Sequence, residues 1–440
     1  MIMANKTYEL YGSVLRGTQF YEEHGSEAYI PYSTDCEALK KPIKIGNYTA
    51  ANRIEYQPME GQDADLNGTP TEQTFKRYTE LARGGAGLLW FEAVSVCQDG
   101  KSNPYQLCIT EENLPEFKRL VKAMKDACKE ANGFEPIVII QLNHSGRYAK
   151  PNGVPEPITA FFNTDIEDAP KTIATDEFLA SLTPLFVKSA LLSAEAGFDG
   201  VDIKACHAYL MSEILSAFDR EGNYGGSFEN RARLFSDVTK AVFDVLPEHM
   251  IRAARVNVYD GFGGKYTYGE SKEGKLYDLT EANALIDIFE KHGGQLLNVT
   301  MGSPYRNPDV SRPYRPGLDK PKSDSLYGLY RLWSGASEIK KAHPGLVIVN
   351  TGISFLGEHA PYAAMGAANE GMTDFVGFGR MSFAYPNVAK DILSGSFDKK
   401  QICVACGGCS TLKKNVLRSG CIIRNAYYKE IFKEFQKKGK

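Results

Sequence analysis

Eight apolar runs of strand length alternate along this chain with longer segments of helical periodicity. The runs are apolar throughout, unlike a half-exposed strand, and cover residues 53–59, 87–96, 136–144, 198–206, 250–258, 294–302, 345–353 and 374–382. Continuously apolar strands are typical of parallel sheets that helices cover. Apolar residues recur every three or four positions in the intervening segments, among them 71–85, 114–133, 178–197, 230–246 and 279–294. The pattern predicts a parallel sheet with a helix after each strand.

Eight β/α units favour closure of the sheet into a (β/α)8 TIM barrel, an α/β fold that spans roughly 250 to over 400 residues. The alternative is an open doubly wound sheet, in which a G-x-G-x-x-G turn follows the first strand. Here the first strand is followed by EGQDADLNG at 60–68, which lacks that turn. We expect an N-terminal extension over 1–40, a barrel over 41–395, and a cysteine-cluster segment with a basic tail over 396–440.

Three segments stand out by composition or length. Six aromatic residues of the extension are expected to pack on this barrel or on a neighbouring subunit of a homo-oligomer: Tyr8, Tyr11, Phe20, Tyr21, Tyr29 and Tyr32. Residues 149–176 form a long loop after the third strand, in the position of a lid, and residues 259–276 form another after the fifth. Both loops follow strand ends of the kind that carry active sites in this fold.

Composition and charge indicate a soluble globular protein. Hydrophobic residues make up 43% and charged residues 24% of the 440 positions, and the formal net charge is −3. Without a basic excess, nucleic acids and anionic membrane surfaces are unfavourable partners. The N-terminal residues lack the apolar run of a signal peptide, and no segment approaches about 18 uninterrupted apolar residues. We expect a cytoplasmic protein.

Two loops have the composition of a phosphate site. In this fold a phosphate-bearing cofactor commonly lies on the loops after the seventh and eighth strands, here NTGIS at 350–354 and GFGRMS at 377–382. Gly352 and Gly379 would let backbone N–H groups approach a phosphate, and Arg380 could hold it with two hydrogen bonds. The alternative is that the glycines only turn the chain. Their two expected positions and the arginine favour a phosphate site.

Four of the nine cysteines form a C-x2-C-x2-C-x11-C pattern near the end of the chain: Cys403, Cys406, Cys409 and Cys421. The other five are scattered, as reduced cytosolic thiols usually are. Four closely spaced thiolates indicate an iron–sulfur cluster or a structural zinc ion, and a segment without metal is the remaining alternative.

Six stretches resemble, in this order, the Old Yellow Enzyme family of FMN-dependent oxidoreductases, in particular its bacterial branch that includes 2,4-dienoyl-CoA reductase. They are NRIEYQPMEG, RGGAGLLWFEAVSV, QLNHSGR, AGFDGVDIKACHAYL, YGGSFENRARL and VGFGRMSFAYPN, and the resemblance covers roughly residues 40–425. It implies an ene-reductase: an FMN-holding barrel that passes a hydride to the C=C bond of an α,β-unsaturated carbonyl compound. The implied substrates run from enones and enoates to enoyl thioesters and steroid-like enones.

The resemblance also implies which residues contact the flavin. Gln141 would hydrogen-bond the pyrimidine edge of the ring. Arg255 would lie near N1 and C2=O, where a reduced flavin develops negative charge that a fixed guanidinium stabilises; the alternative for Arg255 is a salt bridge at the barrel rim. Four further residues would lie against the ring: Pro58, Met59, Glu60 and Ala93.

The stretch IKACHAYL on the fourth strand carries the implied catalytic residues. Family members place a His/Asn or His/His pair here to bind the substrate carbonyl, and a tyrosine two residues on as the proton donor. This chain has Lys204 and His207 at the pair and Tyr209 as the tyrosine. We expect His207 to hydrogen-bond the carbonyl oxygen and Tyr209 to protonate the α-carbon, while Lys204 reinforces that contact or touches the flavin.

For the cysteines the resemblance implies a [4Fe-4S] cluster, although the middle gap, Gly407–Gly408, is one residue shorter than in that branch. The resembling reductases continue into flavodoxin-like and dinucleotide-binding domains, whereas this sequence ends at Lys440. The expectation is that electrons arrive from NAD(P)H bound over the FMN, or through the cluster from a separate electron-transfer flavoprotein or ferredoxin.

Three other functions fit the same barrel: an NADH oxidase, an amine demethylase and a non-catalytic flavin-binding protein. The lysine at position 204 is the best support for the last. Retention of Tyr209, His207 and Arg255 together favours catalysis.

Overall fold

Eight parallel strands close into a barrel, which confirms the predicted (β/α)8 fold. The computed structural model describes residues 29–167, 171–272, 276–313 and 324–438, together with the backbone of 8–11 and 14–17. The barrel strands are β1 (Ile54–Tyr56), β2 (Leu88–Ser95), β3 (Ile137–Asn143), β4 (Gly200–Ala205), β5 (Ile251–Asn257), β6 (Leu296–Thr300), β7 (Val347–Asn350) and β8 (Phe375–Phe378). Each pairs in parallel with the next, and β8 closes the barrel on β1.

Apolar side chains fill the N-terminal half of the barrel interior. Trp90, Ile139 and Leu296 belong to this inner cluster, and the antiparallel hairpin Ile43–Ile45 and Tyr48–Ala50 closes it from below. A larger hydrophobic layer lies between the strands and the surrounding helices. Because the lower interior is filled, a cavity for polar chemistry is left at the C-terminal ends of the strands.

One helix covers the barrel after each strand, as the periodicity predicts. These helices are α1 (Glu72–Arg83), α2 (Leu114–Asn132), α3 (Asp176–Ala196), α4 (Arg233–Val245), α5 (Thr280–Lys291), α6 (Ser325–Ala342), α7 (Ala360–Asn369) and α8 (Val388–Leu393). Short helices lie at Glu37–Lys40, Leu210–Glu213, Phe228–Arg231, Pro308–Ser311 and Arg380–Ala384. Short 3-10 helices lie at Gly146–Tyr148, Ile214–Ser216 and Ile353–His359.

The seventh and eighth strands end earlier than the apolar pattern predicts. β7 stops at Asn350 because Gly352 adopts a left-handed φ of 98° and leads into a 3-10 helix. β8 stops at Phe378, and the chain turns at Gly379 into the helix that begins at Arg380. Both phosphate loops therefore turn sharply away from the sheet at its C-terminal edge.

Helix α3 is long and apolar enough to cross a membrane, judged by length and composition alone. In the barrel it packs against β3, β4 and the neighbouring helices α2 and α4. Leu179, Leu182 and Phe186 form its buried face. Its apolar character thus has an explanation within the fold, and the cytoplasmic location stays a prediction.

The N-terminal extension packs on α7 through residues 29–32, where its described side chains begin. The Tyr32 ring stacks on Tyr362 with centroids 5.1 Å apart, and the Tyr29 hydroxyl donates to Glu370 at 3.2 Å. Residues 8–11 and 14–17 pair as an antiparallel hairpin. Packing on a neighbouring subunit and the three domain boundaries stay predictions. The side chains of Tyr8, Tyr11, Phe20 and Tyr21 lie outside the described residues.

A buried arginine holds the loop predicted as a lid. The Arg147 guanidinium binds both Glu167 of this loop and Glu213, which follows the β4 end. Two-residue strands, Ile158–Thr159 and Thr172–Ile173, pair in parallel within the loop. The lid role stays a prediction.

The C-terminal segment folds back onto the start of the barrel through helices α9 (Gly408–Lys414) and α10 (Ala426–Lys438). The buried Arg77 guanidinium binds the Asp63 carboxylate at 2.6 Å, the Ser419 carbonyl and the Tyr428 hydroxyl. Phe383 and Tyr428 rings flank the same guanidinium, 4.5 and 5.0 Å from it. Arg77 therefore joins the barrel to both parts of the C-terminal segment.

We predict that Arg77→Met lowers the free energy of unfolding by about 3–5 kcal/mol, because the buried Asp63 carboxylate loses its counter-charge. Chemical denaturation of the purified protein measures the change. The control is Arg119→Met, which breaks an exposed ion pair with Glu116 and should change stability by less than about 1 kcal/mol. Equal effects of the two substitutions would contradict the anchoring role of Arg77.

Candidate active site

A cavity of about 1020 Å³, open to solvent at its mouth, lies at the C-terminal ends of the barrel strands. Strand ends and loops of the barrel supply one side of its wall, and the C-terminal segment supplies the other.

The structure brings nine of the predicted site residues together around this cavity: Pro58, Met59, Glu60, Lys204, His207, Arg255, Gly352, Gly379 and Arg380. Three others lie behind the wall that the described residues form. Ala93 is fully buried, and its carbonyl accepts from Gln106. The Gln141 amide donates to Asp202 at 2.6 Å, and Tyr209 is only 1% exposed.

The phosphate loops hold buried polar atoms that have no partner among the described residues. Arg380 donates one Nη2 hydrogen bond to the Pro313 carbonyl at 2.6 Å, while its Nη1 and the Thr351 hydroxyl are unpartnered. A side chain at position 352 would approach Leu332 to 2.8 Å, so this turn needs glycine. Buried donors without partners are costly in a folded protein. A phosphate would satisfy them.

Two further unpartnered buried atoms fit a flavin ring. Asp202 fixes its surroundings by accepting from Gln141, from Trp90 at 2.7 Å and from the Arg255 backbone at 2.7 Å. These bonds leave Gln141 Oε1 and Arg255 Nε without partners among the described residues. An acceptor that faces an imide N–H, and a cation that faces a carbonyl edge, are what a flavin needs. The donor set therefore fits FMN.

Glu60 lies at the centre of a buried charge cluster. Its carboxylate binds Lys204 Nζ at 3.0 Å and Lys413 Nζ at 2.7 Å, and it accepts from the Tyr209 hydroxyl at 3.1 Å and from Gln62 at 3.0 Å. Burial alone would raise the pKa of Glu60, but the two ammonium groups outweigh burial and hold the pKa below its ordinary value. Glu60 is therefore ionised.

Lys204 stands where the resemblance expects the first imidazole of the carbonyl-binding pair. Its ammonium group pairs with Glu60 and lies 3.9 Å from the centre of the Tyr209 ring. Burial lowers the pKa of Lys204, and the Glu60 carboxylate opposes that shift. Lys204 therefore contacts both Glu60 and Tyr209, and it also lines the cavity.

His207 is held in an uncommon backbone conformation at the cavity wall. His207 and Ala208 have left-handed φ values of 65° and 56°, and the His207 N–H donates to Asn257 at 3.3 Å. The ring Nε2 lies 3.5 Å from the Thr300 hydroxyl. Desolvation first, and then Arg255 and other cations, lower the pKa of His207 well below its usual range. The imidazole is therefore neutral, and strain of this kind is concentrated at functional sites.

The C-terminal segment supplies cavity residues that the sequence reasoning missed: Ser410, Lys413, Lys414 and Ser419. Cys409, predicted as a metal ligand only, also lines this cavity. Tyr305, on the loop after β6, was also missed; its hydroxyl lies 3.0 Å from that of Tyr209. The one available signal was the spacing of Cys409 and Lys413, which places both on one face of a helix. Nothing in the spacing indicated that this helix covers the barrel mouth.

The four cysteines of the C-terminal pattern line a second cavity of about 370 Å³. Backbone N–H groups of Ala405 and Arg424 donate to the Cys403 and Cys421 sulfurs, each at 3.4 Å. The two cavities share Arg380, Phe383 and Cys409 as wall residues. The two sites are therefore adjacent.

Gly407 and Gly408, the two residues between Cys406 and Cys409, have distinct roles. Gly407 has a left-handed φ of 79° at the start of α9, and a side chain at Gly408 would lie 2.2 Å from Ile422. The turn and the close contact bring α9 against the chain beside Cys421. No three of the four sulfurs, all within the described residues, lie within 4.8 Å of one another.

A profile of the NADH:flavin oxidoreductase / NADH oxidase family matches residues 38–307. A metal reductase from Desulforamulus reducens is 28% identical over 383 residues, which are 84% of this chain and 51% of that protein. This chain thus spans about half the length of that relative. An NADPH dehydrogenase from Listeria monocytogenes serotype 4a is 30% identical over 293 residues, which are 66% of this chain and 79% of the relative.

Solved structures share the fold. A 2-naphthoyl-CoA reductase in complex with 2-naphthoyl-CoA has a TM-score of 0.74 at 22% identity, over 90% of this chain and 58% of that chain. An Old Yellow Enzyme homologue from Zymomonas mobilis has a TM-score of 0.61 at 24% identity. The match covers 82% of this chain and 93% of that chain. The profile covers more than half of the 440 residues. The chain therefore belongs to the NADH:flavin oxidoreductase / NADH oxidase family.

Proposed function

We propose that this protein is an FMN-dependent ene-reductase that reduces the C=C bond of an α,β-unsaturated carbonyl compound. The observation that carries the proposal is the neutral His207 at the wall of the same cavity as Arg255 and Arg380, whose unpartnered atoms fit FMN. A neutral imidazole can donate a hydrogen bond to a carbonyl oxygen without adding a charge to a wall that is already cationic.

We assign the cofactor contacts to residues of the barrel. Arg380, with the backbone of Gly352 and Gly379, holds the phosphate. Gln141 and Arg255 bind the polar edge of the ring, and the ring-facing residues are Pro58, Met59, Glu60 and Ala93. FMN, when bound, supplies the hydride equivalent that the reduction needs.

On the substrate side, His207 binds the carbonyl oxygen and stabilises the negative charge that builds there. A tyrosine hydroxyl protonates the α-carbon; the resemblance implies Tyr209, which hydrogen-bonds both Glu60 and Tyr305. Lys204 keeps Glu60 ionised and lies over the Tyr209 ring.

We further propose that Cys403, Cys406, Cys409 and Cys421 hold a [4Fe-4S] cluster. The four cysteines line one cavity, as the ligands of a cluster in which each cysteine binds a different iron would. NAD(P)H, or a separate electron-transfer flavoprotein or ferredoxin, would supply the electrons, and the shared wall of the two cavities supports transfer between the sites.

The names of the relatives include both reductases and enzymes that act on amines. One solved relative is a 2-naphthoyl-CoA reductase, and the Listeria relative is an NADPH dehydrogenase. Two other solved structures that share the fold are a histamine dehydrogenase and a 6-hydroxypseudooxynicotine amine oxidase. The names therefore do not separate an ene-reductase from an amine demethylase, and the proposal rests on the site geometry.

Arg380→Ala should weaken FMN binding about 10- to 150-fold, because one charge-assisted hydrogen bond contributes roughly 1.5–3 kcal/mol. Fluorescence titration of the apoprotein with FMN measures the dissociation constant. Arg83→Ala, which removes an exposed guanidinium, is the control and should leave FMN affinity unchanged. Equal affinity of the wild type and Arg380→Ala would refute the phosphate assignment.

Cys403→Ser or Cys406→Ser should abolish bound iron while circular dichroism stays that of a folded barrel, because both residues follow the last strand. Iron is measured per polypeptide after anaerobic purification. Cys36→Ser, which changes a cysteine far from the pattern in sequence, should retain iron. Zinc, or no metal, in the anaerobic wild type would show that the cluster assignment is wrong.

His207→Ala should slow reoxidation of the anaerobically reduced protein by 2-cyclohexenone about 10²–10³-fold, because a donor to the developing oxyanion is lost. Stopped-flow absorbance measures the step, and reduction by NAD(P)H or dithionite should be unaffected. His249→Ala, an exposed histidine, should match the wild type. A wild type that reduces none of a panel of enones, enoates and enoyl thioesters would overturn the proposed function.

A further inference from the structure

Two tyrosine hydroxyls lie close together beside the cavity, but only one of them lines it. Tyr209 is 1% exposed and lies behind the wall that the described residues form, whereas Tyr305 is part of that wall. The hydroxyl oxygens are 3.0 Å apart, within hydrogen-bond distance. A substrate in the cavity would therefore meet Tyr305 first.

We infer that Tyr305 hands the proton to the α-carbon, and that Tyr209 is a positioning residue that hydrogen-bonds the Tyr305 oxygen from behind. The inference rests on the proposed function and refines its proton-donating step. A hydride from the reduced cofactor would bring its own electron pair to a new C–H bond at the β-carbon. The π pair of the former C=C bond then takes the proton at the α-carbon, and the Oη–H bond of Tyr305 breaks with its pair left on the phenolate oxygen. Solvent at the cavity mouth then reprotonates the Tyr305 phenolate.

Charges around the two hydroxyls favour Tyr305 as the acid. Burial raises the pKa of Tyr305, Lys413 lowers it, Glu60 raises it, and the hydrogen bond from Tyr209 lowers it, with a net pKa above the ordinary value. Burial also raises the pKa of Tyr209, and the Glu60 carboxylate raises it further. A phenolate on Tyr209 would face the Glu60 carboxylate at 3.1 Å. A phenolate on Tyr305 would instead face an ammonium group and a hydroxyl donor.

The packing of Tyr305 keeps its hydroxyl in place. Its ring stacks on Tyr148 with centroids 4.1 Å apart and an interplanar angle of 22°. The loop that carries it is fixed by Asn307, whose side chain accepts from the Ser303 N–H and donates to the Asp260 carbonyl, both at 2.7 Å. Such preorganisation is what a general acid requires, because proton transfer depends on alignment.

Glu60 keeps Tyr209 available to support Tyr305. In the absence of substrate, the Tyr209 hydroxyl can donate to either Glu60 oxygen, at 3.1 and 3.3 Å. When charge develops on Tyr305, the same hydrogen can turn to the Tyr305 oxygen at 3.0 Å. Lys204 and Lys413 compensate the Glu60 carboxylate in either arrangement.

The test compares Tyr305→Phe with Tyr209→Phe in the FMN-loaded protein, and Tyr427→Phe, at an exposed tyrosine that does not line the cavity, is the matched control. Phenylalanine retains each aromatic ring and removes one hydroxyl. We expect Tyr305→Phe to slow reoxidation by 2-cyclohexenone about 10²–10⁴-fold, as loss of a positioned general acid does. Tyr209→Phe should cost about 10-fold, as loss of one hydrogen bond does. Tyr427→Phe should match the wild type.

Two further measurements separate proton transfer from a structural effect. Titration of the oxidised protein with 2-cyclohexenone, followed by flavin absorbance, should give the same dissociation constant for the wild type and Tyr305→Phe. The solvent deuterium isotope effect on reoxidation should increase in Tyr209→Phe, where proton transfer from Tyr305 becomes slower, and should change in Tyr305→Phe, where water replaces the tyrosine.

The outcomes distinguish this inference from the proposed function. If the wild type reduces 2-cyclohexenone and Tyr305→Phe does so at the same rate, Tyr305 is not the donor although the proposed function stands. An equal or larger loss in Tyr209→Phe overturns the inference in favour of direct donation by Tyr209. If the wild type reduces no α,β-unsaturated carbonyl compound, both proposals fail.

Discussion

The buried Glu60 carboxylate is the interaction on which the arrangement of the site depends. A carboxylate removed from water is unstable unless cations and hydrogen-bond donors surround it. Lys204 from β4 and Lys413 from α9 supply the cations, and Tyr209 supplies a hydroxyl. Because Lys413 lies near the end of the chain, far in sequence from both Glu60 and Lys204, the C-terminal helix must lie over the barrel to contribute its charge to Glu60. The cavity wall is thus completed by the same contact that stabilises the charge.

The cationic groups around the cavity exceed its carboxylates, and this imbalance accounts for the chemistry of its neighbours. Glu60 neutralises part of the charge of Lys204 and Lys413, while Arg255 and Arg380 retain unpartnered buried atoms among the described residues. An anionic cofactor is the natural complement of that field. The same field opposes a second proton on His207, in addition to the desolvation that lowers its pKa. A site that attracts an anionic cofactor therefore also keeps His207, the residue proposed to bind the substrate carbonyl, neutral.

The fold was predictable because continuously apolar strands alternate with helices, and that pattern allows few topologies. The two phosphate loops followed from strand order, since both lie at the ends of adjacent strands. Side-chain direction was harder to predict. Gln141 and Asp202 share a hydrogen bond inside the barrel, and Tyr209 points at Glu60 rather than into the cavity that the described residues form. Lys413 could not be predicted because only tertiary packing brings α9 to the barrel mouth.

The short loop after β1 connects the barrel side of the cavity wall to the C-terminal segment. Glu60 at its start binds Lys413, and Asp63, three residues on, binds the Arg77 guanidinium that also holds Ser419 and Tyr428. Between Glu60 and Asp63 on this loop, the Gly61 carbonyl accepts a hydrogen bond from the Ser419 N–H at 2.7 Å. The cysteine segment is therefore fixed at three successive points on one loop. A shift of that segment would break a buried ion pair, so these contacts stabilise the position of the cysteine cavity beside the barrel cavity.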